Sequence, residues 1–92
     1  MLFPSYNVTF KRGSEEWIVV TGEIQNIAKR NFTTAVFRLV LFDKRRVMGI
    51  GFIKLRSFRA RSIRRFEVLI HGLHYKLIPT IVNYSIILES GY

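Results

Sequence analysis

Ninety-two residues are enough to close one hydrophobic core and too few for two that would each stand alone, so the chain is read as one domain over residues 1–92. Hydrophobic residues make up 49% of it and charged residues 23%, which excludes the regime in which chains stay disordered. Without cysteine, a disulfide framework and a thiolate metal site are excluded, and 15 Lys plus Arg against 6 Asp plus Glu give a net charge of +9 that attracts anionic surfaces without specifying which.

The opening Met1-Leu2-Phe3-Pro4-Ser5-Tyr6 has no basic residue followed by a sustained apolar stretch, and later apolar runs are soon broken by charge or glycine. No signal peptide or transmembrane helix is expected, and the compartment stays open between envelope association and the cytoplasm. Tyr6, Val8 and Phe10 alternate as a short first strand ending at Arg12-Gly13-Ser14. Residues 17–26 place Ile18, Val20, Gly22 and Ile24 on one face and a more polar set, ending Thr21, Glu23, Gln25, on the other, a period of two with one buried face. After a polar joint at residues 26–31, residues 33–43 put Ala35, Phe37, Leu39 and Leu41 inward and Thr34, Val36, Arg38, Val40 and Phe42 outward.

A turn at residues 43–46 leads into a strand from Val47 to Lys54. There Gly49 and Gly51 flank Ile50, as glycines do at a bulge or at a close approach of another backbone. Residues 62–70 form a further strand with Phe66, Val68 and Ile70 on one face, and a joint is expected at His71-Gly72. The β-branched and aromatic residues of 81–90 complete the set. No ten-residue stretch has an apolar stripe at helical spacing. The expectation is an all-β fold of six or seven antiparallel strands, its edges protected by stacking into a sandwich or closing into a barrel.

Three segments resemble a known pattern: Val20-x-Gly22-Glu23-Ile24-x-Asn26, Phe37-x-Leu39-x-Leu41-Phe42-Asp43, and Phe66-Glu67-Val68. Together they are similar to the FxLYD family, and the similarity covers roughly Ile18 to Ile70 and, more loosely, the final strand. The resemblance implies an immunoglobulin-like β-sandwich acting as a non-catalytic module, often in cell-envelope proteins of prokaryotes. It brings no catalytic residues. The residues also carry physical roles: Gly22 lets a neighbouring sheet approach, Asn26 bends the chain through side-chain to backbone hydrogen bonds, and Phe37, Leu39, Leu41, Phe66 and Val68 face the core. Asp43 takes the first position of a turn, accepting from backbone N–H groups. The chain departs from the family in having Phe42 where Tyr is usual, Lys44-Arg45-Arg46 where a glycine usually follows the Asp, and Arg59-Ala60-Arg61-Ser62 before the Phe66 strand.

Catalytic chemistry has little to draw on. The six carboxylates, Glu15, Glu16, Glu23, Asp43, Glu67 and Glu89, are scattered, with no evident acid–base dyad and no phosphate-loop or nucleophile-elbow fingerprint. His71 and His74 would ligate a metal only with further help, for instance from Glu67. Two ligands are too few, so the reading is a strand end with both imidazoles solvated, and no cofactor is expected. The most suggestive stretch is basic: Lys54, Arg56, Arg59, Arg61, Arg64 and Arg65, joined across a shared sheet end by Lys44, Arg45 and Arg46. Guanidinium groups chelate phosphate, and Phe58 among them would stack on a base. The plainer alternative is a solvated edge and loop whose charge deters aggregation, with Phe58 in the core or anchoring a loop.

The function expected is a non-catalytic binding or scaffold module that engages a protein partner. Val36, Val40 and Phe42 on the outer face of the central strand would form an apolar contact patch or be covered by the chain's own last strand or by a twin subunit, the last making a homodimer. The alternative is a basic anion-binding module for nucleic acid or acidic lipid, in an oligonucleotide-binding barrel if the sandwich reading fails.

Overall fold

The computed structural model describes residues 3–92; Met1 and Leu2, the first positions of the opening segment read above for a leader, lie outside the described residues. Six strands follow in chain order: β1 (Ser5–Arg12), β2 (Trp17–Gln25), β3 (Phe32–Phe42), β4 (Val47–Phe58), β5 (Ile63–His74) and β6 (Asn83–Gly91). Short 3₁₀ segments, Ser14–Glu16 and Tyr75–Thr80, precede β2 and β6. The strands form two antiparallel three-stranded sheets, ordered β1-β2-β5 and β4-β3-β6.

Alternation builds the core directly. Ile18, Val20 and Ile24 of β2, Phe37, Leu39 and Leu41 of β3, and Phe66, Val68 and Ile70 of β5 are buried and belong to one cluster. Each such side chain removed from water stabilises the fold by about 1.5–3 kcal/mol. The two sheets meet most closely where β4 passes β5: a Cβ added at Gly51 would lie 2.6 Å from Val68 Cγ1 and 2.7 Å from Ile70 Cδ1. Toward one end, Phe3, Phe37 and Phe58 pack edge to face, with ring centroids 5.3 and 6.1 Å apart.

Several sequence expectations need correction. The expected first strand forms, from Ser5 to Arg12, but Tyr6 does not share a face with Val8 and Phe10, because the register with β2 shifts between Tyr6 and Thr9, where Asn7 takes φ 54°. That bulge turns Tyr6 outward, where its hydroxyl donates to Gln25 Oε1 (2.9 Å), while Val8 and Phe10 pack on the core. The nearest neighbours of Gly22 belong to its own sheet. A Cβ there would meet the Phe66 ring at 2.9 Å and Val8 at 3.1 Å, and Phe66 is its cross-strand partner. The fourth strand runs past Lys54 to Phe58, so Lys54 and Arg56 are strand residues. No joint occurs at His71-Gly72: β5 continues to His74, and a register shift opposite Trp17 and Ile18 absorbs residues 71–73, with Gly72 at φ +80°. The chain's own last strand lies beside β3, in the same sheet, and not over its outer face. Lateral neighbours alone leave Val40 9% exposed and Val36 and Phe42 half-buried.

Candidate binding surfaces

The basic residues expected to form one patch fall into separate places. Lys44, Arg45 and Arg46 occupy the turn between β3 and β4, whereas Arg59 and Arg61 occupy the turn between β4 and β5. The 12-residue β4 separates the two turns by roughly 40 Å at ~3.3 Å per residue, so the expected joint patch does not form. Arg65 lies on the outer face of the other sheet, opposite Glu23. Lys54 and Arg56 point outward from β4, opposite Val36 and Thr34.

What gathers at the β4–β5 turn is Arg56, Arg59, Arg61 and Arg64, joined by Lys29 and Arg30 from the β2–β3 loop. Asn26 holds these segments together. It is wholly buried; its Nδ2 donates to the carbonyls of Arg30 (3.1 Å) and Phe58 (3.0 Å), and its Oδ1 accepts from Ala28 N–H (2.9 Å). Its backbone N–H donates to Ser62 O (2.9 Å), and its carbonyl accepts from Arg61 N–H (2.8 Å). Asn31 Oδ1 adds a bond from Ala60 N–H at 2.8 Å. A loop 30 residues away in sequence is thereby fastened to the turn.

Two of the six cations are turned onto the protein itself. Arg64 Nη1 donates to Arg56 O (2.8 Å) and Ser57 O (3.4 Å), and Arg30 lies over the Phe32 ring (4.3 Å) while donating to Gly91 O (3.0 Å). Lys29, Arg56, Arg59 and Arg61 project into solvent or lie half-exposed at the surface. Among the described residues the ion pairs are Arg12–Glu16, Arg38–Glu89 and His74–Glu16, and none reaches this end. Apolar side chains sit among the charges, with Ile27 47%, Ile63 51% and Tyr92 70% exposed. Phe58 is wholly buried in the core, so it offers no stacking face. Sequence reading missed Lys29 and Arg30 because only tertiary hydrogen bonds bring them to the cluster.

At the opposite end Asp43 organises its turn: Oδ1 accepts from the backbone N–H groups of Arg45 (2.8 Å) and Arg46 (2.9 Å). These bonds, Arg45 first, favour the ionised form and hold the carboxyl below its ordinary value of 3.8. A shallow cleft of about 450 Å³ adjoins it, lined by Arg46, Met48, Leu73, Leu77 and Thr80 among others.

The two histidines part company. His71 packs edge-on against Trp17 at 4.8 Å. His74 keeps 42% of its side chain exposed while Nδ1 accepts from Lys76 N–H (3.1 Å) and Nε2 lies 3.4 Å from Glu16 Oε2. Its carboxylate neighbour is thus Glu16 and not Glu67. Among the described residues no three of His, Asp and Glu come together as a metal cluster, and no helix is long and apolar enough to cross a membrane.

A further exposed surface is the outer face of β4-β3-β6. Ile50 and Phe52 are 50% and 58% exposed, and Arg38 lies between Phe52 and Ile87, its Nε 3.6 Å from Glu89 Oε2. Compared with protein-family models, curated proteins and solved structures, the chain matches none.

Proposed function

We propose that this protein is a non-catalytic interaction module, an immunoglobulin-like sandwich related to the FxLYD family, that docks an acidic protein surface on its basic end. The sheet orders β1-β2-β5 and β4-β3-β6 support the immunoglobulin-like part, since the chain crosses between the two layers at β2–β3, β4–β5 and β5–β6, as in a Greek key. The motif residues Phe37, Leu39, Leu41, Phe66 and Val68 line one core, as the family resemblance implies. Association with a cell envelope rests on that resemblance alone.

One observation carries the binding reading: Lys29, Arg56, Arg59 and Arg61 face solvent beside Arg30 and Arg64, which lie on backbone carbonyls, and among the described residues none of the six is in an ion pair. A solubilising charge run needs no such assembly, whereas an electrostatic docking site gains on-rate and orientation from it. Ile27 and Ile63 among the charges favour a protein over a phosphate track, because they supply apolar area for an interface core. Burial of Phe58 takes away the stacking platform on which a single-strand nucleic-acid reading relied.

The test compares poly-glutamate, single-stranded DNA and acidic vesicles as ligands over a range of salt. Poly-glutamate should bind with salt-sensitive affinity and lose about tenfold in an Arg59→Glu/Arg61→Glu variant that keeps its wild-type melting. Preference for DNA or vesicles would transfer the site to the anion-binding alternative. Binding unaffected by the double reversal would remove the basic end from the function altogether.

A further inference from the structure

Every sheet has two edges, and natural proteins defend them with cations, prolines or bulges that discourage another strand from pairing. Three of the four edges here are defended. β1 carries the Asn7 bulge with Lys11 and Arg12, β4 carries Lys54 and Arg56, and β5 carries Arg64 and Arg65. The fourth edge, β6, reads Asn-Tyr-Ser-Ile-Ile-Leu-Glu-Ser-Gly, with no cation and no proline. Its only charge is Glu89, which falls at the bulge between the pairs Val36–Ser90 and Phe37–Leu88. The six residues before it form a regular, undefended edge.

Among the described residues that edge is also open to the side. An apolar groove of about 390 Å³ runs along it, between β6 and the beginning of β1, lined by Phe3, Pro4, Ser5, Tyr84, Ile86 and Ile87. Ser5 Oγ and Tyr84 OH meet across it at 3.3 Å. The Tyr84 backbone N–H is turned onto its neighbour Asn83 Oδ1 (2.8 Å) and away from β3. By the alternation of an antiparallel ladder, the N–H groups of Ile86 and Leu88 face the same free edge.

We infer that β6 is a homodimerisation strand, pairing antiparallel with β6 of a second copy about a twofold axis at Ile86, so that the two β4-β3-β6 sheets become one six-stranded sheet. Two copies at +9 repel overall, and Asn83–Leu88 is the stretch of sheet edge where no cation adds to that repulsion, Arg30 reaching only the Gly91 carbonyl at the strand's far end. The geometry is self-complementary: Ile86 faces Ile86 across the axis, and Tyr84 faces Leu88 of the other copy, all on the inward side over the groove. On the outward side Ser85 faces Ile87. Such an isologous contact uses up the edge on both copies and closes at two, which an edge joined to any other strand would not do.

Sedimentation equilibrium of the full chain tests this. The wild type should reach twice the 10.8 kDa chain mass as concentration rises. A Ser85→Lys/Ile87→Lys variant sets four ammonium groups against one another across the axis and should remain monomeric with an unchanged circular dichroism spectrum. The Ser85→Glu/Ile87→Glu variant should also be monomeric alone. Mixed one to one, the two should restore a dimer, because each lysine then faces a glutamate. A wild type that stays monomeric at its solubility limit would overturn the inference. So would a lysine variant that still dimerises, or a mixture that associates no better than its components.

Discussion

Replacing Asn26 by alanine removes all three side-chain hydrogen bonds at the junction of the β2–β3 loop, the end of β4 and the β4–β5 turn. A net loss of ~1 kcal/mol per bond gives about 3 kcal/mol, and the buried Phe58 carbonyl left without its donor adds to this. For a chain of this size about 3 kcal/mol corresponds to a melting temperature lower by roughly 12–24 °C. Asn26→Asp has the same shape but different chemistry. One oxygen can still accept from Ala28 N–H, while the other faces the carbonyls of Arg30 and Phe58, where a carboxylate has nothing to donate. Burial and those two carbonyls would raise the folded-state pKa of the new carboxyl above the ~3.9 of an unfolded Asp. A raised folded pKa makes stability greatest below the unfolded value and progressively lost as pH rises through the folded one. The aspartate variant should therefore approach wild-type stability near pH 4 and fall away toward neutrality. Denaturant unfolding followed by circular dichroism, with the wild type measured at each pH, reads both effects. An alanine variant within about 0.5 kcal/mol of wild type, the range of ordinary surface changes, would refute the central role given to Asn26.

Gly51→Ala should destabilise by about 1–3 kcal/mol through overpacking against Val68 and Ile70, and Val68→Ala in the same chain should recover part of that loss, read as a favourable coupling in a double-mutant cycle. Asp43 has its pKa held down by the Arg45 and Arg46 amides, so the stability it contributes is present above 3.8 and lost as pH falls through the depressed value. Acid titration of Asp43→Asn should show a shallower decline than wild type in that range, and parallel curves would dismiss the turn as a source of acid sensitivity. Ser57 holds φ 54°, a conformation that costs a non-glycine residue about 1 kcal/mol, so Ser57→Gly should leave the protein as stable or slightly more so by thermal melting.

Much of the architecture was legible because the strand period is two and burial obeys it. In β2 and β3 alternation alone separates Ile18, Val20 and Ile24, and Phe37, Leu39 and Leu41, from their outward neighbours, and the structure buries each of them. The reading failed where one residue shifts the phase. At Asn7 a positive φ inserts an extra residue opposite β2, and at residues 71–73 the insertion lies inside a strand that the sequence reading ended early. The basic stretch was visible as composition, but which of its members act together depends on where the strand ends fall.

The sequence by itself therefore determined an all-β chain, the inward set of its central strands and a large positive charge, because side-chain alternation and net charge are properties of neighbours along the chain. Only the tertiary structure decided that Lys44, Arg45 and Arg46 stand apart from the other cations, that Lys29 and Arg30 replace them, and that β6 is left as an undefended edge. Those are relations between segments distant in sequence, set by strand pairing and by hydrogen bonds such as those of Asn26, and no local pattern encodes them.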